Sequence, residues 1–195
     1  YFRYVNDEKR KKVKDEKGNW IGQSNPQDVG FHYYQLNIDG ASVPDPGTQY
    51  FYGAGRLGSG IEIPAPDQDF YALKDVPHGL FSENIYFSKL TNSFRRCYVY
   101  TPANYNENTK TRFPVLYLQH GSFEDETGWA SQGKANLILD NLIASKKANP
   151  MIIVMDNGYK PQENNPRTES VFEEVVINEI IPMIDAKFRT IANKE

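Results

Sequence analysis

Hydrophobic and polar residues alternate over short stretches in the first part of the chain and give way to longer apolar runs further on. The alternation from Gly30 to Ile38 predicts a strand with one buried face, and the Asp39-Gly40 dipeptide that follows is typical of a hairpin turn. The glycine-rich segment 53–60 is expected to be a connecting loop, because no strand leads into it and no Lys-Ser or Lys-Thr follows it. The first region is therefore predicted to be small and all-β.

The pattern changes near residue 80, where strands begin to alternate with helices. Segments 83–88 and 95–100 are predicted to form an antiparallel pair. The apolar runs 115–119 and 151–155 are typical of parallel strands that are buried on both faces. Between these two runs, the spacing of apolar residues predicts a helix from Gly133 to Ser145.

A helix-start signal opens the last amphipathic segment. Ser170 followed by Glu173 has the spacing of a capping box, and an apolar stripe then runs from Phe172 to Ile184. Pro182 should kink this helix or end its regular part. The order strand, helix, strand, helix with right-handed crossovers is typical of the first half of a doubly wound α/β sheet.

The stretch from Arg112 to Trp129 carries the strongest indication of function. A buried strand pattern runs there into the turn His120-Gly121-Ser122. At the carboxyl end of a central strand in an open α/β sheet, ligand-facing loops begin and backbone N–H groups become free to hold an anion. We therefore expect the chemistry of this protein beside these three residues.

Composition narrows the classes of protein. The chain has 195 residues, enough for one large or two modest domains, and a formal net charge of -3. A nucleic-acid partner is not expected, because binding to the phosphate backbone depends on clustered positive charge. No apolar run approaches the roughly 18 residues that a bilayer span needs. The single cysteine, Cys97, excludes an internal disulfide and a cysteine-based zinc site.

Several motifs occur in an order that resembles carbohydrate esterase family one, the feruloyl and acetylxylan esterases related to esterase D. They lie in residues 98–102, 113–121, 128–129, 133–142 and 180–182. The earlier segments 30–34, 43–46 and 70–79 resemble the immunoglobulin-like early-set module, related to glycogen-binding modules, that precedes the esterase domain in many bacterial members.

This resemblance implies the fold and the domain organisation. Residues 1–78 would form an Ig-like β-sandwich of the carbohydrate-binding-module type that is incomplete at its N-terminus. Residues 79–195 would form the N-terminal half of an α/β-hydrolase esterase domain. The resemblance also implies a secreted or periplasmic protein.

The implied function is that of a carboxylic-ester hydrolase that acts on feruloylated or acetylated xylan by a serine acyl-enzyme mechanism, without a cofactor or a metal. The family carries its nucleophile in a Gly-x-Ser-x-Gly motif on the strand after the last helix, followed by an acid and a histidine. This sequence contains no Gly-x-Ser-x-Gly motif. We expect the triad in a C-terminal part of the same enzyme, and we expect residues 1–195 alone to be inactive and prone to association along strand 115–119.

The resemblance also assigns roles to residues around the turn. The backbone N–H of Ser122, or alternatively that of Phe123, is expected to donate to the oxyanion of the reacting ester. Gly121 is expected to permit the tight turn and His120 to shape the loop. Substrate-facing positions are expected at Phe123, Asp125, Trp129, Asp156 and Asn157.

Four of these five substrate-facing positions have a simpler alternative. Trp129 could anchor its loop on the sheet, and Asp156 with Asn157 could cap the turn after their strand. The acidic run 124–126, which includes Asp125, could be solvated; a hydrolytic metal site there would need histidine partners that the neighbouring sequence lacks.

Two other functions fit the same pattern. A siderophore-ester hydrolase of the enterochelin esterase type also couples an early-set domain to this fold. The chain could instead be a non-catalytic carbohydrate-binding or scaffold protein, with Trp20 and the aromatic run 50–52 as a sugar-stacking surface, although core packing also explains aromatic residues in so small a module. A Gly-x-Ser-x-Gly motif further along the parent gene would separate the esterases from the binding protein.

Overall fold

The chain folds into two compact units in a computed structural model that describes residues 2–4, 12–159 and 171–193. The first unit comprises residues 1–68 together with 122–124, and the second comprises residues 69–121 and 125–195. The domain assignment 1–78 and 79–195 stays a prediction.

An antiparallel sheet of five strands forms the first unit. Its strand order is β1-β4-β7-β6, with β5 paired to β4, while β2 and β3 form a separate hairpin. The strands are β1 (Phe2–Tyr4), β2 (Val13–Lys14), β3 (Trp20–Ile21), β4 (Gly30–Ile38), β5 (Ala41–Val43), β6 (Tyr50–Gly53) and β7 (Arg56–Ile63). The predicted strand and hairpin turn at 30–40 are confirmed. Apart from this sheet, the β2–β3 hairpin is the one other sheet among the described residues of the first unit. A sandwich needs two packed sheets, so the Ig-like sandwich stays a prediction.

The expectation of a loop at residues 53–60 is wrong. Most of this segment is strand β7, which joins β6 through the turn Ala54-Gly55 and pairs with β4 along its other edge. A Cβ atom on Gly60 would lie 2.2 Å from the ring of Phe31 on β4. Glycine in this strand therefore makes room for an aromatic ring of the neighbouring strand.

A mixed four-stranded sheet forms the centre of the second unit. Its order is β10-β11-β9-β8; β10 and β11 are parallel, and β9 is antiparallel to both β11 and β8. The strands are β8 (Leu80–Ser88), β9 (Ser93–Thr101), β10 (Val115–Tyr117) and β11 (Ile152–Asp156). The antiparallel pair and the parallel pairing of β10 with β11 are confirmed. Burial is confirmed for β11, whereas β10 is only partly buried because it lies at the edge of the sheet, and its Leu116 is 42% exposed.

Helices connect and cover these strands. They are α1 (Gly128–Ser131), α2 (Ala135–Ala144), α3 (Phe172–Val175), a π-helical segment (Val176–Ile180) and α4 (Ile181–Lys187). The predicted helix 133–145 is confirmed as α2, which starts at Ala135 because Lys134 before it adopts a left-handed conformation with φ of 50°. None of the helices in the described ranges is long and apolar enough to cross a membrane.

Pro182 disturbs the last helix, as predicted. The π-helical segment ends two residues before this proline, which lies in the first turn of α4. Because proline has no N–H to donate to the preceding turn, the helix accommodates it by a local change in hydrogen-bonding pattern. The other predicted signal of this helix, Ser170 of the capping box, lies outside the described residues.

Hydrophobic clusters cover both faces of the second sheet. One face packs against the last helix through Cys97, Val99, Ile152, Val154, Val175, Ile180 and Ile184. The opposite face packs against α2 through Tyr100, Leu139, Ile153 and Met155. Alternate residues of β11 thus point into different clusters, which is the layering of an α/β-hydrolase-like sheet.

Strand β10 lies at the edge of this sheet, but the chain returns to its open side after α4. The N–H of Phe113, just before β10, donates to the carbonyl of Arg189 at 2.8 Å, and the N–H of Ile191 donates to the carbonyl of Phe113 at 2.9 Å. Thr190 pairs with Phe113 in parallel orientation. The segment after the last helix therefore begins to run parallel to β10.

Candidate active site

His120 connects the loops that follow the two parallel strands. Its ring is buried, with 8% exposure, and Nε2 accepts a hydrogen bond from the backbone N–H of Gly158 at 2.9 Å. A ring nitrogen that accepts cannot carry the proton, so the proton lies on Nδ1, which donates to the carbonyl of Gly121 at 2.8 Å. His120 thereby ties the loop after β10 to the loop after β11.

Replacing His120 with leucine should destabilise the protein by about 1–3 kcal/mol, because the N–H of Gly158 would lose its acceptor in a partly buried place. His120→Gln is the matched control, since its side-chain carbonyl can reach the position of Nε2. We expect thermal melting of the full-length protein to show a clearly smaller loss of stability for His120→Gln than for His120→Leu. Equal melting temperatures for the two variants would contradict this role of His120.

Ser122 follows the His120-Gly121 pair directly and is exposed. In the described part of the chain its backbone N–H donates no hydrogen bond. Residues 122–124 group with the first unit, where the carbonyl of Phe123 accepts the N–H of Gly55 at 2.9 Å. Phe123 adopts a left-handed conformation with φ of 64°, and its side chain is 49% exposed. An exposed amide without an acceptor is able to bind a ligand oxygen.

A buried ion pair lies at the end of β11. Arg95 on β9 and Asp156 on β11 have side chains only 4% and 3% exposed, and Nη2 of the arginine lies 2.8 Å from Oδ2 of the aspartate. The hydroxyl of Tyr86 donates to the other carboxylate oxygen at 3.1 Å and accepts from Nε of Arg95 at 3.0 Å. Burial raises the pKa of the Asp156 carboxyl, and the charge of Arg95 opposes this shift.

The same arginine fixes the residue after β11. Nη2 of Arg95 also donates to the backbone carbonyl of Asn157. The side-chain carbonyl of Asn157 accepts the N–H of Tyr159 at 2.9 Å, which caps the turn after the strand. Asp156 and Asn157, both expected to face substrate, are thus held by internal contacts that determine the shape of this loop.

Glu126 is not the solvated residue that its acidic surroundings suggest. It is 3% exposed, and its carboxylate accepts hydrogen bonds from Nε of Arg96 and, at 2.7 Å, from the side-chain amide of Asn157. For this residue the expectation of a solvated acidic run is wrong. Glu126 joins the loop between β10 and α1 to strand β9 and to the loop after β11.

The two remaining predicted positions make local contacts. The carboxylate of Asp125 accepts hydrogen bonds from the backbone N–H and the hydroxyl of Thr127, at 2.9 and 2.5 Å, just before α1. The indole N–H of Trp129 donates to the carbonyl of Gln119 at 2.6 Å, while its side chain remains 38% exposed. No group of three or more His, Cys, Asp or Glu residues suited to hold a metal ion occurs among residues 12–159 and 171–193.

Within the second unit, the structure thus brings together the loops that follow the parallel strands. His120, Asn157 and Glu126 connect these loops to each other, and Arg95 and Arg96 hold them from β9. The sequence reading missed both arginines as structural members of the site. The signal was present, because alternation places Arg95 on the same face as the buried residues Cys97 and Val99, and a buried arginine requires a buried acid.

A family model described as "Putative esterase" matches residues 88–194. The chain belongs to this esterase family. The match covers most of the second unit, including β9, β10, β11 and the loops that follow the parallel strands.

Individual relatives extend this result. The chain is 48% identical over 190 residues to an endo-1,4-beta-xylanase/feruloyl esterase of Xylanibacter ruminicola, and the match covers 93% of this chain but only 26% of that protein. A ferulic acid esterase of carbohydrate esterase family one from Anaeromyces mucronatus, solved in complex with ferulic acid, is 25% identical with a TM-score of 0.57; the match covers 65% of this chain and 50% of that chain. The predicted resemblance to carbohydrate esterase family one is confirmed.

An enterobactin esterase of Shigella flexneri, solved in the presence of enterobactin, is also similar in structure. It is 18% identical with a TM-score of 0.54, and the match covers 83% of this chain and 46% of that chain. At this identity the similarity shows a shared fold and does not extend to the substrate.

Proposed function

We propose that this chain is part of a carboxylic-ester hydrolase that acts on feruloylated or acetylated xylan. The observation that carries the proposal is the 48% identity to a protein named as a xylanase and feruloyl esterase. That relative is about four times as long as the matched region, so the activity is proposed for the full-length protein that contains this chain. The acceptor-free amide of Ser122 at the end of the β10 loop supports the same chemistry.

In the proposed mechanism, a serine oxygen attacks the ester carbonyl and a histidine takes the serine proton. The carbonyl oxygen becomes an oxyanion, to which the N–H of Ser122 donates together with the N–H of the residue after the nucleophile. The sugar hydroxyl leaves with the proton from the histidine, and water then releases ferulate or acetate from the acyl-enzyme. No metal or cofactor takes part in these steps.

The nucleophile, the acid and the histidine are proposed to lie outside these 195 residues. The parallel pairing of residues 189–191 beside Phe113 supports this assignment. A strand that continued along β10 from there would end at the same edge of the sheet as the loops after β10 and β11. A serine in a tight turn at that end would lie next to the loop that carries Ser122.

Roles for the other predicted residues follow from their contacts. We propose that Phe123 and Trp129, both partly exposed, face the substrate. His120 and Gly121 are proposed to shape the loop, and Asp156 with Asn157 to form its rigid support. Asp125 is proposed to make no direct contact with the substrate and to affect its binding only by fixing the turn before α1.

We also propose an early-set, Ig-like module for the N-terminal region and a secreted or periplasmic location for the protein. The antiparallel strands and hairpin turns of the first unit are compatible with such a module. The location is inferred from the polymeric substrate, which does not enter cells.

Hydrolysis assays on the full-length protein test the proposed function. We expect release of ferulate from methyl ferulate or of acetate from acetylated xylan, and loss of both activities after treatment with phenylmethylsulfonyl fluoride. A catecholate triester serves as the control substrate for the siderophore esterase. Hydrolysis of the triester alone would overturn the proposal in favour of that enzyme, and xylan binding without any hydrolysis would overturn it in favour of a binding protein.

A further inference from the structure

A pocket of about 390 Å³ lies beside the active-site loops, between the β8–β9 hairpin and the end of β11. The residues that line it include Glu83, Ile85, Phe94, Arg96, Glu126 and Asn157. Glu126 and Asn157 belong to the network that supports the active-site loops, whereas the hairpin residues have no role in the chemistry described above. The pocket therefore borders the loop that follows β11 and also includes residues that have no role in that chemistry.

Exposed apolar side chains form one side of this pocket. Phe94 is 75% exposed and Ile85 is 64% exposed, although both lie on regular strands. The ring of Phe94 packs against Phe87 with centroids 5.2 Å apart and planes at 75°, an edge-to-face contact that holds the ring in a defined orientation. A fixed and exposed aromatic ring next to a pocket is a surface for stacking a ligand.

Charged groups on the other side of the pocket compensate one another. The guanidinium of Arg96 donates to the buried carboxylate of Glu126 and lies 3.9 Å from that of Glu83. Arg95, the other guanidinium that lines the pocket, is paired with the buried carboxylate of Asp156. Each guanidinium is thus balanced by a carboxylate, and no excess positive charge remains to attract an anion. The pocket thus combines hydrogen-bonding groups with an aromatic ring and suits a neutral ligand with an apolar face and a hydroxyl rim, which describes a sugar ring.

The position of the pocket fits one part of the proposed substrate. Neighbouring strands lie about 4.8 Å apart, and β9 is the second strand from β10, so β9 at the rim of the pocket is roughly 10 Å from the strand that leads to His120. We propose that it binds the neutral saccharide on the alcohol side of the ester, one or two sugar units from the reacting bond. This inference rests on the proposed function and names the part of the substrate that the β8–β9 hairpin recognises.

Kinetics with two substrates test this inference in the full-length protein. The measured quantity is the ratio of kcat/KM on a feruloylated arabinoxylo-oligosaccharide to kcat/KM on methyl ferulate, which has no sugar. Phe94→Ala should lower this ratio about tenfold. Phe94→Trp keeps an aromatic ring and should restore the ratio. Phe70→Ala, at another exposed phenylalanine outside the pocket, is the matched control. An unchanged ratio for Phe94→Ala would overturn the inference.

A binding measurement separates this inference from the proposed function. Xylotetraose carries no ester, so calorimetric titration detects the pocket without turnover. We expect binding by the wild type and by Phe94→Trp, and at least tenfold weaker binding by Phe94→Ala. Hydrolysis of methyl ferulate without this Phe94-dependent binding would overturn the inference alone, whereas such binding without ester hydrolysis would overturn the proposed function.

Discussion

Replacing Ser122 with proline is expected to lower kcat for ester hydrolysis by about 100- to 1000-fold in the full-length protein. Proline has no backbone N–H, so the substitution removes a proposed donor to the oxyanion, and loss of one such donor has a cost of this size. The amide of Ser122 makes no hydrogen bond within the described residues, so its removal breaks no contact seen there. The loss should therefore appear in catalysis much more than in folding.

Ser122→Ala is the matched control, because it removes the hydroxyl and keeps the N–H. Its kcat is expected to stay within about threefold of the wild type, since the proposed donor is the backbone. Ser122 is not among the residues with positive φ, and the preceding Gly121 tolerates the restriction that proline imposes. A folded Ser122→Pro variant with the kcat of Ser122→Ala would show that this amide does not hold the oxyanion.

The second large effect is expected at the buried ion pair. Asp156→Ala should destabilise the second unit by about 3–5 kcal/mol, because the guanidinium of Arg95 would remain buried without its counter-charge. For a protein of this size, such a loss lowers the melting temperature by about 6–20 °C. Calorimetric melting of the full-length protein measures this shift in the transition that contains the esterase domain.

The double variant Arg95→Met/Asp156→Leu is the control for this prediction. It removes both charges and fills the space with apolar atoms, so it should be more stable than Asp156→Ala although it changes two residues. If Asp156→Ala melts within about 2 °C of the wild type, the pair is not the buried support of the Asn157 loop that its geometry indicates.

The sequence predicted strand β11 well because this strand is buried along its whole length in the second sheet. The run 151–155 is continuously apolar, and only a doubly covered sheet can bury such a run. The strand in run 115–119 is shorter, Val115–Tyr117, and only partly buried, because its place at the sheet edge is not visible in the local pattern. The glycine-rich strand β7 was missed because its pairing with β4 is invisible in a local pattern. Its Gly60 makes room for the ring of Phe31 on that neighbouring strand.

The hydrogen bonds that support the active-site loops could also not be predicted from local sequence patterns. Glu126 bonds to Arg96 and to Asn157, residues 30 and 31 positions away in the sequence. A run of acidic residues is usually solvated, and the sequence alone does not show which member of the run points inward. The burial of Arg95 could have been predicted from its place in the alternation of β9. For its partner, the sequence restricts the choice only to the acidic residues at strand ends, of which Asp156 is one.

The proposed role of the Ser122 amide is tested most directly by a crystal structure of the full-length protein with a phosphonate ester that mimics the tetrahedral intermediate. We predict that the phosphonyl oxygen lies about 2.7–3.1 Å from the backbone nitrogen of Ser122, the distance of an oxyanion donor. A phosphonyl oxygen held by other donors, with the Ser122 amide turned away from it, would contradict the assignment of this loop to ester hydrolysis.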